Sequence, residues 1–483
     1  MTDKPVHRLQ RTASHRHEKD SEAHQLFRSV PGHEHKSDKK DRKHVVAGID
    51  APGETGVMYV SSRAAANGWN AGNKEWANFG QGAPEVGHIP NSSPRPDVLK
   101  LSDLSAELGA DVNEYASTTG VKELREAVAK YYNETYRQGK ESQYDADNVC
   151  IVPGGRAGLT RVTSVISDVF VSYTIPEYTA YDQLLSSFKR LVPIPKTLHA
   201  EDAYHLNVDE LEKDIKEMGL TSVMLSNPHN PTGQVIYGDE LKKLVSLSRR
   251  YQTSLILDEF YEQYCYDLGE GAQVSAAEYI EDVDEDNVVL INGLTKCWRL
   301  PGWRVCWVVG PKSLVKALGQ SGGFLDGGAS HVLQAAAIPL LDPARVHSDR
   351  LALQTHFRAK RDHVLKRLRE IGFEVTNPPT STFYVWLDLR GLPKPLDSGL
   401  VFFEECLKEK VIVVPGQFFD LNPSHRRNLM DSPCDHFVRL SFGPPMEELD
   451  RGLDGIARLL KRVQQHAAQG TDLHEVIGRD LKQ

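Results

Sequence analysis

A lysine and an arginine, eight residues apart, are the first groups in this chain whose types and spacing could carry out chemistry. Lys296 follows the apolar run 287–291, and Arg304 comes after a turn rich in Gly and Pro. A lysine amine that is desolvated at the edge of a sheet loses basicity and can form a Schiff base with a carbonyl compound. A surface loop would show the same local pattern, so the decision depends on motifs elsewhere in the chain.

Three such motifs precede or follow the lysine: Asn230-Pro231-Thr232-Gly233, Asp258 with Tyr261, and Arg439. Together with Lys296 and Arg304 they resemble the cofactor signature of the pyridoxal-phosphate-dependent enzymes of fold type I, class I/II aminotransferases. The resemblance covers roughly residues 78–460. It implies an α/β fold, with a large domain around a mostly parallel seven-stranded sheet and a smaller C-terminal α/β domain. It also implies pyridoxal 5′-phosphate as cofactor and transfer of an α-amino group from an amino acid to a 2-oxo acid.

The resemblance assigns catalytic roles to Lys296, Asp258 and Tyr261. Lys296 would anchor the cofactor covalently and move a proton, because a flexible amine can do both. Asp258 ends an apolar run and would keep the ring nitrogen protonated, although such an acid could also cap the next turn. Tyr261 and Asn230 would bind the 3-oxygen of the ring. Asn227, in the same turn, is a rival for the role given to Asn230.

A glycine-containing loop is the candidate phosphate site. Residues 153–158 follow a strand and open a helix, so the backbone N–H groups of Gly155 and Arg156 would face an anion at the helix N-terminus. The resemblance adds the Thr295 hydroxyl and the Arg304 side chain. No role is transferred to the Arg156 side chain.

Aromatic and substrate-binding positions complete the predicted site. Tyr178 would stack on the cofactor ring, or else pack on a neighbouring helix. Tyr115 matches a tyrosine that reaches the phosphate of a neighbouring subunit, which implies a homodimer, and its alternative is a buried loop tyrosine. Arg439 would bind the substrate α-carboxylate, with Asn230 and the backbone of Gly82 nearby, or form a structural salt bridge.

Two positions depart from the family pattern. Gly293 stands where many relatives carry a phosphate-binding serine, and Ser381 replaces a common glycine. No arginine stands out as receptor for a second carboxylate, so a specificity restricted to dicarboxylates is not expected. Two alternatives share the scaffold: a lyase or cyclase that uses the same cofactor, and a regulatory protein that retains the aminotransferase body.

Composition indicates a soluble globular protein. The chain has 483 residues, 40% hydrophobic, and a net charge of −9, which argues against general nucleic-acid binding. No apolar run is long enough to span a bilayer, so no membrane association is predicted. The six cysteines are scattered, which is typical of a reducing compartment, and the predicted location is cytoplasmic. The histidines of the N-terminal segment are irregularly spaced, so no metal site is predicted.

Alternating apolar runs and amphipathic segments must position these groups. The predicted strands are 148–152, 169–175, 222–225, 254–257, 287–291, 305–309, 383–389 and 411–413. The predicted helices are 121–132, 158–166, 239–251, 348–371 and 447–467. The predicted division is a disordered leader (1–50), an N-terminal arm with part of the small domain (51–111), the large cofactor-binding domain (112–342), the small C-terminal domain (343–467) and a polar tail (468–483).

Overall fold

The computed structural model describes residues 56–167, 169–188, 190–423, 427 and 432–477. The predicted leader, residues 1–50, lies outside the described residues, and the predicted tail is described as far as residue 477.

The described residues form twelve strands and a set of α-helices. The strands are β1 (Ala77–Asn78), β2 (Val149–Val152), β3 (Val169–Ile175), β4 (Leu191–Thr197), β5 (Ser222–Ser226), β6 (Ser254–Asp258), β7 (Val288–Gly293), β8 (Cys306–Val309), β9 (Tyr384–Asp388), β10 (Val411–Ile412), β11 (Val414–Pro415) and β12 (Phe437–Ser441). The helices are α1 (Gly56–Ala66), α2 (Leu101–Leu108), α3 (Lys122–Tyr136), α4 (Gly155–Val165), α5 (Ala180–Ser187), α6 (Val208–Met218), α7 (Gly238–Tyr251), α8 (Lys312–Leu325), α9 (His331–Ala337), α10 (Pro343–Ile371), α11 (Gly399–Lys408), α12 (Met446–Ala468) and α13 (Leu473–Val476).

Seven strands make one large sheet in the order β2-β8-β7-β6-β5-β3-β4. The strands from β7 to β4 run parallel, whereas β8 is antiparallel to both of its neighbours. Every residue of β2, β5, β7 and β8 is buried, as expected for strands that helices cover on both faces. The predicted mostly parallel, seven-stranded sheet is confirmed.

Strand β4 was not among the strands predicted from the sequence. It contains Pro193 and Pro195, which cannot donate backbone hydrogen bonds, and it lies at the edge of the sheet where it pairs only with β3. Proline is tolerated at such an edge because no second neighbour needs the missing N–H group.

Several predicted helix boundaries were wrong by a few residues. Helix α4 begins at Gly155 and not at residue 158, and α3 continues to Tyr136 beyond residue 132. Helix α10 begins at Pro343, where the side chain of Asp342 accepts a hydrogen bond from the Arg345 N–H and caps the helix. Proline suits the first turn of a helix because its missing N–H is unsatisfied there in any case.

A second, antiparallel sheet of order β11-β12-β9 is formed by residues nearer the C-terminus. The N-terminal strand β1 pairs in parallel with β10, so the segment that follows α1 is attached to this C-terminal part. Helix α1 packs there as well, since Tyr59 contacts the rings of Phe403 and Phe418. The domain boundaries at residues 111, 342 and 467 stay predictions.

Among the described residues, no helix combines the length and the apolar character needed to cross a membrane.

Candidate active site

A cavity of about 430 Å³ opens at the carboxyl ends of β5, β6 and β7, where open α/β sheets bind their ligands. The second sheet closes it from the other side. All of the predicted site residues except Tyr115 line this cavity: Gly82, Gly155, Arg156, Tyr178, Asn230, Asp258, Tyr261, Thr295, Lys296, Arg304 and Arg439. The structure therefore brings together eleven side chains or backbone segments that are scattered over most of the sequence.

Lys296 follows β7 and points its amine into the cavity, where Nζ donates a hydrogen bond to the carbonyl oxygen of Gly82. Burial, followed by the charge of Arg439, lowers the pKa of Lys296 to about 8. A lowered pKa leaves a fraction of the amine neutral near physiological pH, and a neutral amine is the form that attacks a carbonyl carbon.

Asp258 is the last residue of β6 and is almost completely buried. The Tyr181 hydroxyl donates to its carboxylate at 3.2 Å. Burial and, after it, the charge of Glu177 raise the pKa of Asp258 to about 7. This carboxyl group can therefore hold or release a proton near neutral pH.

Glu177 organises the loops around Asp258 and was not predicted from the sequence. It is fully buried at the end of β3 and accepts hydrogen bonds from Thr174 Oγ1 at 2.8 Å and from Ser226 Oγ at 2.5 Å. It also accepts the N–H of Tyr178 at 2.9 Å. The Ser226 oxygen in turn accepts the N–H of Asn230 at 3.1 Å. The Glu177 carboxylate therefore fixes both the turn that carries Tyr178 and the turn that carries Asn230.

The two candidate asparagines have different surroundings. The Asn230 side chain faces the cavity, and its Oδ1 accepts a hydrogen bond from Arg439 at 2.9 Å. The Asn227 side chain instead donates to the carbonyl oxygen of Ile236 and accepts its N–H, and it does not line the cavity. Asn227 therefore holds the turn, which leaves Asn230 facing any ligand.

Arg439 on β12 is a buried cation without an anion. Its guanidinium donates to the neutral oxygens of Asn230 and, at 3.2 Å, of Gly80, while Nε has no partner. The rings of Tyr384 and Phe419 lie 4.0 and 4.9 Å from its Cζ. Within the part of the chain that the structure describes, no carboxylate pairs with it, so the structural salt bridge considered for Arg439 is not found. A buried guanidinium in this state is suited to receive a carboxylate.

The glycine loop before α4 leaves room that a side chain would fill. Gly154 has φ +102°, and a Cβ there would lie 1.8 Å from the Arg304 guanidinium. A Cβ on Gly155 would meet the ring of Phe260 at 2.5 Å. The N–H groups in the first turn of α4 and the Arg304 guanidinium therefore share one small cradle, whose charge and shape suit a phosphate group.

The departure at Gly293 has a steric cause. A Cβ at this position would lie 2.4 Å from the Cα of Cys306 on the neighbouring strand β8. Cys306 Sγ also lies 3.2 Å from the Thr295 hydroxyl. The cysteine thus occupies the space beside the cradle that a serine at residue 293 would need, and Thr295 is the hydroxyl that remains.

The Arg156 side chain belongs to the cavity, which the sequence interpretation did not include. It is exposed at the mouth of the cavity, and Nε donates to the Tyr178 hydroxyl at 3.3 Å. The Tyr178 ring packs edge-on against Tyr181 at 5.6 Å, so Tyr178 both packs against a helix residue and faces the cavity.

Tyr115 lies outside this cavity and is 96% exposed. The alternative of a buried loop tyrosine is therefore wrong.

Taken together, the cavity fits a phosphorylated aromatic aldehyde. It holds an amine of lowered pKa, an acid of raised pKa that can face a ring nitrogen, and a cationic cradle at a helix N-terminus. Its volume lies in the range of cofactor and small-molecule sites.

Sequence reasoning missed three residues of the site besides the Arg156 side chain: Glu177, Tyr181 and Tyr384. Tyr181 follows Tyr178 by one helical turn, which is a weak signal that could have been noticed. Tyr384 carries no such signal, because its partners Tyr261 and Gly82 are distant in sequence, and the link from Glu177 to Ser226 is likewise made only by the fold.

Comparison with known proteins agrees with this geometry. The family profile described as "Aminotransferase class I and II" matches residues 74–456, which is most of the chain. Curated relatives include the probable aspartate/prephenate aminotransferase of Aquifex aeolicus, 25% identical over 80% of this chain and 91% of the relative. Another is aromatic-amino-acid aminotransferase 2 of Thermococcus litoralis, 26% identical over 73% of this chain and 86% of the relative.

Solved structures show the same fold. Aspartate aminotransferase from Thermus thermophilus with maleate superposes with a TM-score of 0.70 at 21% identity, over 86% of this chain and 100% of that chain. An aminotransferase from Mycobacterium tuberculosis superposes with a TM-score of 0.70 at 23% identity, over 86% of this chain and 99% of that chain. The predicted fold class and family are therefore confirmed, and the chain belongs to the class I and II aminotransferases, a family of pyridoxal-phosphate-dependent enzymes.

Proposed function

We propose that this cavity transfers the α-amino group of an amino acid to a 2-oxo acid, with Lys296 as the residue that binds the cofactor and moves the proton. The observation that carries the proposal is the placement of Lys296, Asp258 and the unpaired Arg439 around one cavity. When bound, pyridoxal phosphate supplies a ring that accepts negative charge from the substrate α-carbon.

Lys296 and Asp258 divide the proton chemistry. The Lys296 amine, with its lowered pKa, would take a proton from the substrate α-carbon and deliver it to C4′ of the cofactor. Asp258, with its raised pKa and the Tyr181 hydrogen bond, holds a proton at the ring nitrogen. Tyr261 would donate its hydroxyl to the ring oxygen, and Tyr178 would cover the ring.

Arg439 orients the substrate. Its guanidinium exchanges the neutral oxygens of Asn230 and Gly80 for a carboxylate, which gives shorter and stronger charge-assisted hydrogen bonds. The Gly82 backbone, whose carbonyl accepts from Lys296, would lie near the substrate carboxylate. The phosphate would be held by the backbone N–H groups of Gly155 and Arg156, by Thr295 and by Arg304.

We propose that donors with an acidic side chain are among the substrates. Besides Lys296, Arg304 and Arg439, the exposed Arg156 guanidinium lines the cavity at its mouth, where it can pair with a second carboxylate, although the sequence interpretation did not expect such an arginine. Relatives named aspartate aminotransferases agree with this choice. In a panel of amino donors, Arg156→Gln is expected to lower kcat/KM for aspartate by about tenfold and to leave leucine within about twofold. An equal loss for both donors would remove Arg156 from substrate recognition.

We propose that the enzyme works as a homodimer in which Tyr115 completes the site of the neighbouring subunit. Tyr115 is 96% exposed, Phe324 is 76% exposed, and α2 has no buried residue, which is the state expected of a surface covered by a second copy. Tyr115→Ala and Lys296→Ala subunits are each expected to be inactive. Mixed together they should regain activity, because each mixed dimer has one intact site. No recovery in a mixture shown to contain mixed dimers would contradict the shared site.

A cytoplasmic location is proposed on the chemistry of the thiols. All six cysteines are buried and unpaired, as expected for a protein kept in a reducing compartment.

The experiment that tests the proposed reaction is a half-reaction with stoichiometric enzyme. Incubation with an amino acid and no acceptor should yield one equivalent of 2-oxo acid per active site and no ammonia. Sustained release of ammonia would contradict transamination and support the lyase alternative.

A further inference from the structure

Tyr384 on β9 contacts three groups of the site, although no role was predicted for it. Its side chain is 1% exposed and lines the cavity. Its hydroxyl lies 2.9 Å from the Tyr261 hydroxyl, and its ring centroid lies 4.0 Å from Cζ of Arg439. The same hydroxyl is 3.5 Å from the carbonyl oxygen of Gly82, which also accepts from Lys296.

The contact with Arg439 follows from the register of β9 and β12. Trp386 is directly opposite Arg439 in this antiparallel pair, so Tyr384, two residues away, is its diagonal neighbour on the same face. Phe419 lies on the guanidinium as well, at 4.9 Å. A buried cation is attracted to the face of an aromatic ring, and flanking rings restrict the plane in which its donors point. The Tyr384 ring thus helps to set the direction from which a carboxylate can be bound.

In the contact with Tyr261, what matters is which of the two hydroxyl groups donates the hydrogen bond between them. Each tyrosine hydroxyl has one proton to donate, and either oxygen of the pair could be the donor. If Tyr261 donates its proton to a ligand in the cavity, the hydrogen bond between the two tyrosines must be donated by Tyr384. The single Tyr384 proton then gives up its long hydrogen bond, of 3.5 Å, to the Gly82 carbonyl for the 2.9 Å one to Tyr261. Hydrogen bonds in such a chain strengthen one another, so Tyr384 would make Tyr261 a better donor.

Other titratable or charged groups surround this pair. Arg439 approaches from β12, Asp258 from β6, Tyr178 from the loop after β3 and Lys296 from the loop after β7. Because a substitution of Tyr384 by Phe leaves all four in place, any change it causes can be assigned to the hydroxyl group.

We propose that Tyr384 is a positioning residue with two separable functions: its ring fixes the plane of Arg439, and its hydroxyl directs the proton of Tyr261 into the cavity. The inference deepens the proposed function and rests on it. It predicts different results for two substitutions, one that removes only the hydroxyl and one that removes the aromatic ring.

Tyr384→Phe keeps the ring and removes the hydroxyl. The pH midpoint of the absorbance of the bound cofactor is expected to rise by about 0.1 to 0.7 pH unit, because a weaker Tyr261 donor stabilises the negative ring oxygen less. The KM for an amino acid is expected to stay within about twofold. An unchanged or lower midpoint would overturn the assignment of the hydroxyl.

Tyr384→Met fills the space without an aromatic face, and Tyr384→Leu is a second variant in case one does not fold. KM for the amino acid is expected to rise about 5- to 30-fold beyond the change seen with Phe, which is the range for a desolvated cation on a ring. If folded Met or Leu variants match the KM of the Phe variant, the ring has no part in placing Arg439.

Tyr266→Phe is the matched control. Tyr266 is also buried in this region, and its hydroxyl donates to the carbonyl oxygen of Thr382, but it does not line the cavity. Its removal should lower thermal stability without moving the pH midpoint or KM. A shift equal to that of Tyr384→Phe would show that loss of any nearby buried hydroxyl produces the effect. If the wild-type protein shows no cofactor absorbance at all, the proposed function fails, and not this inference.

Discussion

Two buried charged residues on opposite sides of the cavity respond differently to burial. Asp258, at the end of the large sheet, lies in a network of hydroxyl and amide donors, and burial raises its pKa to about 7. Arg439, on the small sheet, lies between two aromatic rings and donates to neutral oxygens. A carboxyl group can answer burial by taking up a proton, whereas a guanidinium keeps its charge.

The two responses to burial suit two different functions in the site. A group that can exist in either protonation state near neutral pH can hold a proton at a ring nitrogen and adjust to the ligand. A group that cannot lose its charge is a fixed receptor, and its buried charge is compensated only when a carboxylate arrives. The large sheet therefore supplies the adjustable part of the site, and the small sheet supplies the fixed part.

Removing Lys296, which both charged groups influence, should have the largest effect. Lys296→Ala is expected to abolish the absorbance of the lysine-bound cofactor and to lower turnover by at least about 10⁴-fold, because anchor and proton carrier are lost together. Lys360→Ala, which removes another buried lysine but one outside the cavity, should retain the absorbance. A Lys296→Ala enzyme that stays yellow and active would remove this residue from the mechanism.

Asp258→Asn tests the adjustable side. Turnover is expected to fall by about 10² to 10⁴-fold, because an amide cannot hold the ring nitrogen protonated. Glu259→Gln is the control: this neighbouring carboxyl is also buried, but it binds Ser275 and the Ala276 N–H and does not line the cavity. Turnover of Glu259→Gln should stay within a few-fold of the wild type. Equal losses in the two variants would indicate a general effect of buried carboxyl groups.

Asp258→Asn also gives a prediction for the stability of the cofactor-free protein. Since the pKa of Asp258 is raised in the folded state, the folded chain binds this proton more tightly than the unfolded chain between about pH 4 and 7. Stability contributed by this group is therefore lost as pH rises through that range. The free energy of unfolding of Asp258→Asn, relative to that of the wild type, is expected to increase by up to about 4 kcal/mol from pH 4 to pH 8. Chemical unfolding at the two pH values measures this, and a gain that does not depend on pH would contradict the shifted pKa.

Arg439→Gln tests the fixed side and should have a smaller effect on turnover. KM for amino acids is expected to rise by about 10²-fold through loss of charge-assisted hydrogen bonds, and any shift in the pH dependence of kcat should be upward, because the charge of Arg439 no longer lowers the pKa of Lys296. Arg137→Gln removes another buried guanidinium, which donates to backbone carbonyl groups away from the cavity, and should leave KM unchanged. If Arg439→Gln lowers kcat as much as Asp258→Asn does and leaves KM unchanged, the division between an adjustable and a fixed side is wrong.

The sequence alone determined the chemistry and the class of fold. Lys296, Asp258, Asn230 and Arg439 each lie in or directly after a short apolar run or beside proline and glycine, but this local pattern was ambiguous for each residue alone. The order of the motifs, which resembles the aminotransferase signature, assigned their roles. Alternation of strands and helices predicted the parallel sheet. The pattern failed at β4, because Pro193 and Pro195 argue against a strand unless its place at the edge of the sheet is known.

Only the tertiary structure decided which groups act on one another. Tyr384 and Tyr261 are 123 residues apart, and Arg439 and Asn230 are 209 apart, yet each pair forms a hydrogen bond. Glu177 became the hub of two loops because β3 and β5 are neighbours in the sheet. A residue's type can be read from the chain, but its burial, its partners and the resulting pKa depend on neighbours that folding brings together.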